Sequence, residues 1–256
     1  MTPTSFPPDL LKGDVAIVTG ASSGLGRRFA LTLAAHGATV AVTARRVDRL
    51  EELVAEIEAA GGSAVAVGLD VTDAAQIVSA VDRVWNELGA VSILVNNAGI
   101  PDANYATKLS LEMVDAVLDT NVRAPFLLSR EVGARMIKNK SGGRIVNISS
   151  MGSFNYAGGG AALYSVSKAA VNRMTEALAV EWAAFGINVN AIAPGAFRSE
   201  MMDGMLERIG DITPRLPRKR LGEPEQLDST LLYLVSPASE AVTGTVVRVD
   251  DGQGSR

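Results

Sequence analysis

The chain has 256 residues with one histidine and no cysteine, and 47% of its residues are hydrophobic against 20% charged. That length suits one domain, or at most two small ones, with a sizeable core, and the lack of cysteine excludes disulfides, thiolate metal sites and a cysteine nucleophile. A lone histidine, His36, rules out two-histidine metal sites, and 24 basic against 28 acidic residues (net −4) leave no nucleic-acid footprint. Chemistry must therefore run on hydroxyls, amines, carboxylates or a borrowed cofactor, and no metal is expected.

Residues 1–9 carry three prolines and no basic run, so they read as a flexible tail ahead of a single domain over 10–256. Val15–Thr19 reads as a strand, followed by a glycine-rich turn and a helix to Ala35. His36 sits where an imidazole can meet the last carbonyls of that helix. Thr39–Thr43 is a second strand, and a charged helix follows over Asp48–Ala60. Ala64–Val67 is a third, with Asp73 placed to cap a helix that runs to Leu88. Ser92–Val95 precedes helical patterns at Ser110–Asp119 and Asn121–Lys138. Gly143–Ile148, a helix from Tyr164 to about Ala184, Ile187–Ile192, a helix over Glu225–Val235 and Thr245–Val249 complete the series.

Seven strands alternating with helices predict an α/β chain with a Rossmann-like doubly wound fold. Its seven-stranded parallel sheet carries helices on both faces, with the ligand crevice at the carboxyl ends of the strands. The uncharged run Ile145–Ser167 is broken by Asn147, Ser149, Ser150, Asn155 and Gly158–Gly160, so no membrane segment is expected and the location is taken as cytoplasmic. Residues 197–223, rich in Met, Pro, Arg and Gly with weak periodicity, are read as a substrate lid, the alternative being an ordinary surface excursion.

Gly20, Ser22, Ser23, Gly24, Leu25 and Gly26 lie between the first strand and the first helix, where a bare backbone and a helix N-terminus can hold a pyrophosphate. After the second strand, where an acidic residue would accept a ribose 2′-hydroxyl, stand Arg45 and Arg46. A guanidinium, here that of Arg45, grips a 2′-phosphate, so NADP is expected over NAD. Downstream, Tyr164 and Lys168 are four apart on one helix face, a spacing that lets an ammonium favour the phenolate and lower the tyrosine pKa. Ser149 and Ser150 end the preceding strand and offer a hydroxyl beside that phenol.

Thr19–Gly26, Asn96-Asn97-Ala98-Gly99, Asn121, Ser150, Tyr164-x-x-x-Lys168 and Pro194-Gly195 stand in this order. In these motifs residues 10–252 resemble the short-chain dehydrogenase/reductase family, in its single-domain branch of about this length. The resemblance implies that Tyr164 transfers a proton, Lys168 holds the nicotinamide ribose and depresses the tyrosine pKa, and Ser150 orients the substrate oxygen. Asn121 would position a water that links Lys168 to solvent. Asp70 and Val71 would flank the adenine, Asn97, Ala98 and Gly99 would support the cofactor, and Pro194, Gly195, Phe197 and Ser199 would line the nicotinamide pocket.

Three positions depart from the family pattern. Ser150 lies fourteen residues before Tyr164, one more than usual, with Gly158–Gly160 available to absorb the extra residue and Ser149 as the alternative hydroxyl. Asp251 stands where the family has the first glycine of a Val-Asp-Gly-Gly run, and Ser23 where NADP-using relatives often have a basic residue. The resulting expectation is an NADP-dependent enzyme interconverting a small-molecule ketone and secondary alcohol (a carbonyl reductase or ketoreductase). A catalytically idle cofactor sensor is the alternative. By resemblance it would be a homotetramer built through Asn121–Lys138 and Tyr164–Ala184.

Overall fold

The computed structural model describes residues 6–102, 104–156 and 158–254. Its strands are β1 (Val15–Thr19), β2 (Thr39–Ala44), β3 (Ser63–Gly68), β4 (Val91–Asn96), β5 (Gly143–Ile148), β6 (Ile187–Pro194) and β7 (Val246–Val249). They form one parallel sheet in the order β3-β2-β1-β4-β5-β6-β7. The doubly wound architecture read from the alternation is therefore the one the chain adopts.

The helices are α1 (Gly24–Ala35), α2 (Val47–Ala59), α3 (Ala74–Leu88), α4 (Leu111–Leu118), α5 (Ala124–Asn139), α6 (Ala162–Trp182), α7 (Glu200–Ile209) and α8 (Asp228–Val235). Strand alternation divides the core between the two faces of the sheet. Ala16 and Val18 of β1 face Phe29 and Leu33 of α1, Leu50 and Leu53 of α2 and Leu231 of α8. Val15 and Ile17 face the other way, toward Ile77 and Val81 of α3, Leu128 and Val132 of α5 and Trp182 of α6. The Trp182 ring packs on Gly133, where an added methyl would meet it at 3.1 Å.

Local chemistry sets the helix ends where the sequence signals them. Asp73 accepts from the Ala75 and Gln76 amides at 2.8 and 3.1 Å to start α3. The His36 Nδ1 lies 2.8 Å from the Thr32 carbonyl at the end of α1. Two elements differ from expectation. The patterns read as separate helices on either side of residue 120 are joined by a turn of π-helix, Asp119–Arg123, because the chain inserts an extra residue there instead of breaking. The excursion at 197–223 contains α7, an amphipathic helix with no fully buried residue, whose apolar repeat is short beside the irregular residues that follow it. Residues 1–5 of the expected tail lie outside the described residues, while Phe6 packs against the core.

Candidate active site

The strand order reverses direction between β1 and β4, so their carboxyl ends open a crevice. Thr19, the last residue of β1, laces the two strands together. Its hydroxyl accepts from the Asn97 and Ala98 amides at 3.0 and 3.1 Å and donates to the Val95 carbonyl. The Asn97 side-chain Nδ2 donates to the Thr19 and Gly20 carbonyls at 3.0 and 3.2 Å. Gly20 turns at φ +66, and a methyl at Gly26 would collide with the Asn97 side chain and the Gly20 carbonyl.

α1 starts at this loop with no side-chain cap on its amides and no acid in its first turn. Bare amides and an unopposed helix dipole fit an anion such as a pyrophosphate. Arg46, rather than Arg45, reaches the loop. It donates to the Ser22 and Ser23 hydroxyls at 3.0 Å and pairs with Glu200 at the start of α7. Arg45 is exposed, and its charge helps hold the Asp70 carboxylate below its ordinary range, after the larger effect of hydrogen bonds from Thr72. Val71 beside it is buried.

The second cluster forms where β4, β5, the π-turn and α6 meet. Lys168 is 4% exposed, donates to the Ile148 carbonyl at 2.8 Å and stands 5.7 Å from the centroid of the Tyr164 ring. Burial lowers its pKa to about 8. Asn121, projecting from the π-turn, accepts from the Ile100 amide and donates to the Ile100 carbonyl and Ser167, all at 2.9–3.0 Å. Asn121 and Lys168 converge over Gly99, where a methyl would lie 3.3 and 3.4 Å from their polar atoms. The glycine leaves that space open.

Tyr164 is partly buried, and burial pushes its phenol up, a hydrogen bond with Ser150 pulls it down, and the charge of Asp102 pushes it up again. The net direction is upward, against the lowering expected from Lys168. That ammonium meets the face of the ring and gives a hydrogen bond to the backbone.

The two serines have different surroundings. Ser149 is 3% exposed and its hydroxyl donates to Asn172 at 2.5 Å, with the Lys168 carbonyl 3.2 Å away. Ser150 accepts from the Gly152 amide, and of the two serines it is the one whose hydroxyl lowers the Tyr164 pKa. Gly158, Gly159 and Gly160 all take positive φ (90°, 86° and 75°), which carries the longer loop back to α6. A residue without a signal of its own also enters the site. Asp102, in the loop after β4, accepts from the Leu163 and Tyr164 amides at the start of α6.

Pro194 ends β6, and the Gly195 amide donates to the Val249 carbonyl. The Ala196 amide donates to Gln253 at 2.7 Å, so the C-terminal turn braces this segment. Phe197 is 6% exposed, with Gly222 against its ring, and Ser199 caps α7 and lies against Gly24. The excursion closes on itself through the Arg198–Glu223 pair, and Arg218 and Arg220 both pair with Asp251. Asp251 takes φ +50, the conformation for which glycine is usual.

Residues 14–209 match the short chain dehydrogenase family model. The chain is 37% identical to the 3-oxoacyl-(acyl-carrier-protein) reductase FabG of Thermotoga maritima, over 94% of this chain and 98% of that one. A short-chain type dehydrogenase/reductase from Mycobacterium marinum superposes with a TM-score of 0.92 at 37% identity, covering 96% and 98% of the two chains. A short chain dehydrogenase from Burkholderia cenocepacia J2315 in complex with NADP gives 0.88 at 35% identity, covering 95% and 99%. The two clusters at the carboxyl ends of the strands, the sheet order and these relatives agree: the chain belongs to the short-chain dehydrogenase/reductase family of oxidoreductases.

Proposed function

We propose that the chain is an NADP-dependent carbonyl reductase that interconverts a ketone and a secondary alcohol. The observation that carries this reading is the buried Lys168 ammonium 5.7 Å from the Tyr164 ring, with Asn121 converging beside it over Gly99, at the carboxyl ends of β4 and β5. Gly20, Ser22, Ser23, Gly24, Leu25 and Gly26 would hold the pyrophosphate at the uncapped start of α1. Arg46, with Arg45 beside it, would take the 2′-phosphate, and Asp70 and Val71 the adenine. Asn97, Ala98 and Gly99 support the nicotinamide half, with Pro194, Gly195, Phe197 and Ser199 along its other side. Bound there, the cofactor supplies the hydride.

The chain's own residues manage the oxygen and its proton. Ser150 donates to the substrate carbonyl and Tyr164 delivers the proton as negative charge develops there. A phenol held above its ordinary pKa keeps its proton near neutrality, ready for the reductive direction. Lys168 provides positive charge beneath the ring and Asn121 positions a water that links it to solvent. The Phe197–Glu223 segment closes over the substrate as a lid. NADP in the complex from Burkholderia cenocepacia and the 3-oxoacyl substrate named for the Thermotoga maritima reductase support the cofactor and reaction class.

A homotetramer in the cytoplasm completes the proposal. An exposed groove of about 590 Å³, lined by Leu118, Val122, Phe126 and Met174 along α4, α5 and α6, supports self-association through those helices. Light scattering reads the assembly directly.

The activity test is NADPH oxidation across β-ketoesters, aryl ketones, sugars and steroids. Turnover of at least one class is expected, and Tyr164→Phe should lower it by about 10²- to 10⁴-fold while NADPH binding stays within a few-fold. Cofactor binding without turnover across the panel would instead establish the idle sensor. A Tyr164→Phe variant with near-normal reduction would remove Tyr164 from the mechanism.

A further inference from the structure

α6 carries both Tyr164 and Lys168, yet it starts without a cap of its own. Its N-cap residue is Ala161, which has no side chain able to accept from the first amides. Those amides are taken by Asp102, a residue 61 positions upstream of Leu163 in the loop after β4. Its Oδ2 accepts from the Leu163 amide at 2.8 Å and from the Tyr164 amide at 3.2 Å. Asp102 is 2% exposed, and its other oxygen, Oδ1, is buried with no hydrogen-bond partner among the described residues.

A buried carboxylate with one oxygen unsatisfied is a costly cap. Any local Ser, Thr or Asp at position 161 would satisfy the same amides from the surface. What a local cap cannot do is tie the first turn of α6 to β4, the strand that ends in the Asn96–Gly99 motif. The groups that face Tyr164 come from three elements: Lys168 on its own helix, Ser150 after β5 and Asp102 after β4. Of these, Asp102 is the negatively charged one, and its charge disfavours the tyrosinate.

We propose that Asp102 is a positioning residue for Tyr164, holding the first turn of α6 from the β4 loop and so aiming the phenol at Ser150. The inference rests on the reading of Tyr164 as the proton carrier. It adds a fifth residue to the site, one that acts through backbone amides and charge without touching substrate.

Two variants and two readouts test it. Asp102→Asn keeps an acceptor oxygen of the same reach and removes the charge, and Asp102→Ala removes both. The first readout is kcat and KM with their pH profiles. The second is the ultraviolet titration of tyrosinate in the protein alone, with Tyr164 isolated by subtracting the matching Tyr164→Phe titration. Asp102→Ala should lower kcat by about 10- to 100-fold with KM little changed, because a misaimed phenol loses rate before it loses binding. Asp102→Asn should restore most of kcat while moving both the Tyr164 titration and the pH profile to lower pH.

If both variants keep wild-type kcat, pH profile and Tyr164 titration and only melt earlier, Asp102 is a plain structural cap and the proposal falls. Should Asp102→Ala fail to fold, the titration of Asp102→Asn decides alone, and an unmoved curve overturns the proposal. Retained turnover in Tyr164→Phe would sink the proton-carrier reading, whereas the titration still judges the hold of Asp102 on the phenol.

Discussion

The tyrosine cluster and the Phe197–Glu223 segment are built by opposite means. Lys168, Asn121 and Ser149 are each less than 5% exposed, and each is fixed by hydrogen bonds to backbone or buried side chains. The segment over the crevice has no fully buried residue in α7. Its two ends are anchored by the buried Phe197 and Leu221, and between and around them the ion pairs Arg46–Glu200, Arg198–Glu223 and Arg220–Asp251 tie it down. Buried hydrogen bonds are costly to break and are not screened by salt, whereas exposed ion pairs contribute about 0–1 kcal/mol each and weaken as salt rises. The residues proposed for proton chemistry are therefore set on rigid elements, whereas α7, proposed as part of the substrate lid, is held between buried ends by contacts cheap enough to exchange.

The sharpest way to break this contrast is within the rigid cluster itself, between neighbouring serines. Ser150→Ala should cut kcat by about 10- to 100-fold, since it removes the donor beside the phenol. Ser149→Ala should leave kcat nearly intact and cost about 1–3 kcal/mol in urea unfolding, because Asn172 loses its buried partner. A reversed pattern would exchange the roles of the two hydroxyls.

Lys168 gives the largest effect on stability. Its pKa falls from 10.5 to about 8 on burial, so the unfolded chain binds more protons between those values. Stability contributed through this group therefore rises as pH climbs from about 8 to 10.5, and below 8 the buried ammonium costs up to about 3 kcal/mol. Lys168→Met should be inactive yet more stable at pH 7, with its advantage shrinking as pH passes from 8 to 10.5. Thermal melts across that range check it; a variant less stable at pH 7 would show that the hydrogen bond to Ile148 outweighs desolvation.

The smallest effects lie in the exposed region. Arg46→Ala should weaken NADPH binding by about tenfold and leave NADH binding unchanged, as expected for a lost charge-assisted contact to phosphate. Glu200→Gln frees Arg46 from its carboxylate partner and should tighten NADPH by no more than a few-fold, a gain that shrinks as salt rises. Calorimetric titration at low and high salt separates the two. Equal losses for NADPH and NADH in Arg46→Ala would place the arginine at a part of the cofactor common to both.

Much of this was legible in the chain. Apolar runs of four to six residues marked all seven strands because a sheet covered on both faces buries both sides of each strand. Asp73 and His36 announced helix ends through contacts within four residues of themselves. Tyr164 and Lys168 share a helix face by spacing alone. α7 was not legible, since its short helical repeat (Met201, Met202, Met205, Leu206, Ile209) is set inside a longer irregular stretch that hides it. The π-turn was hidden for a related reason: an extra residue shifts the helix period without changing its composition.

What the sequence by itself determined is therefore the set of elements, their order and the motif residues, all of which follow from interactions over a few residues. Only the tertiary structure decided which of two serines meets the phenol, which of two arginines reaches the glycine loop and which acid caps α6. Adjacent residues on an extended segment point to opposite sides, so a choice between 45 and 46, or 149 and 150, turns on what the sheet brings alongside. Asp102 reaches Tyr164 because β4 and β5 pair in one register, Ile93 with Arg144 through Asn96 with Asn147, which sets their loops side by side across a separation that no local pattern records.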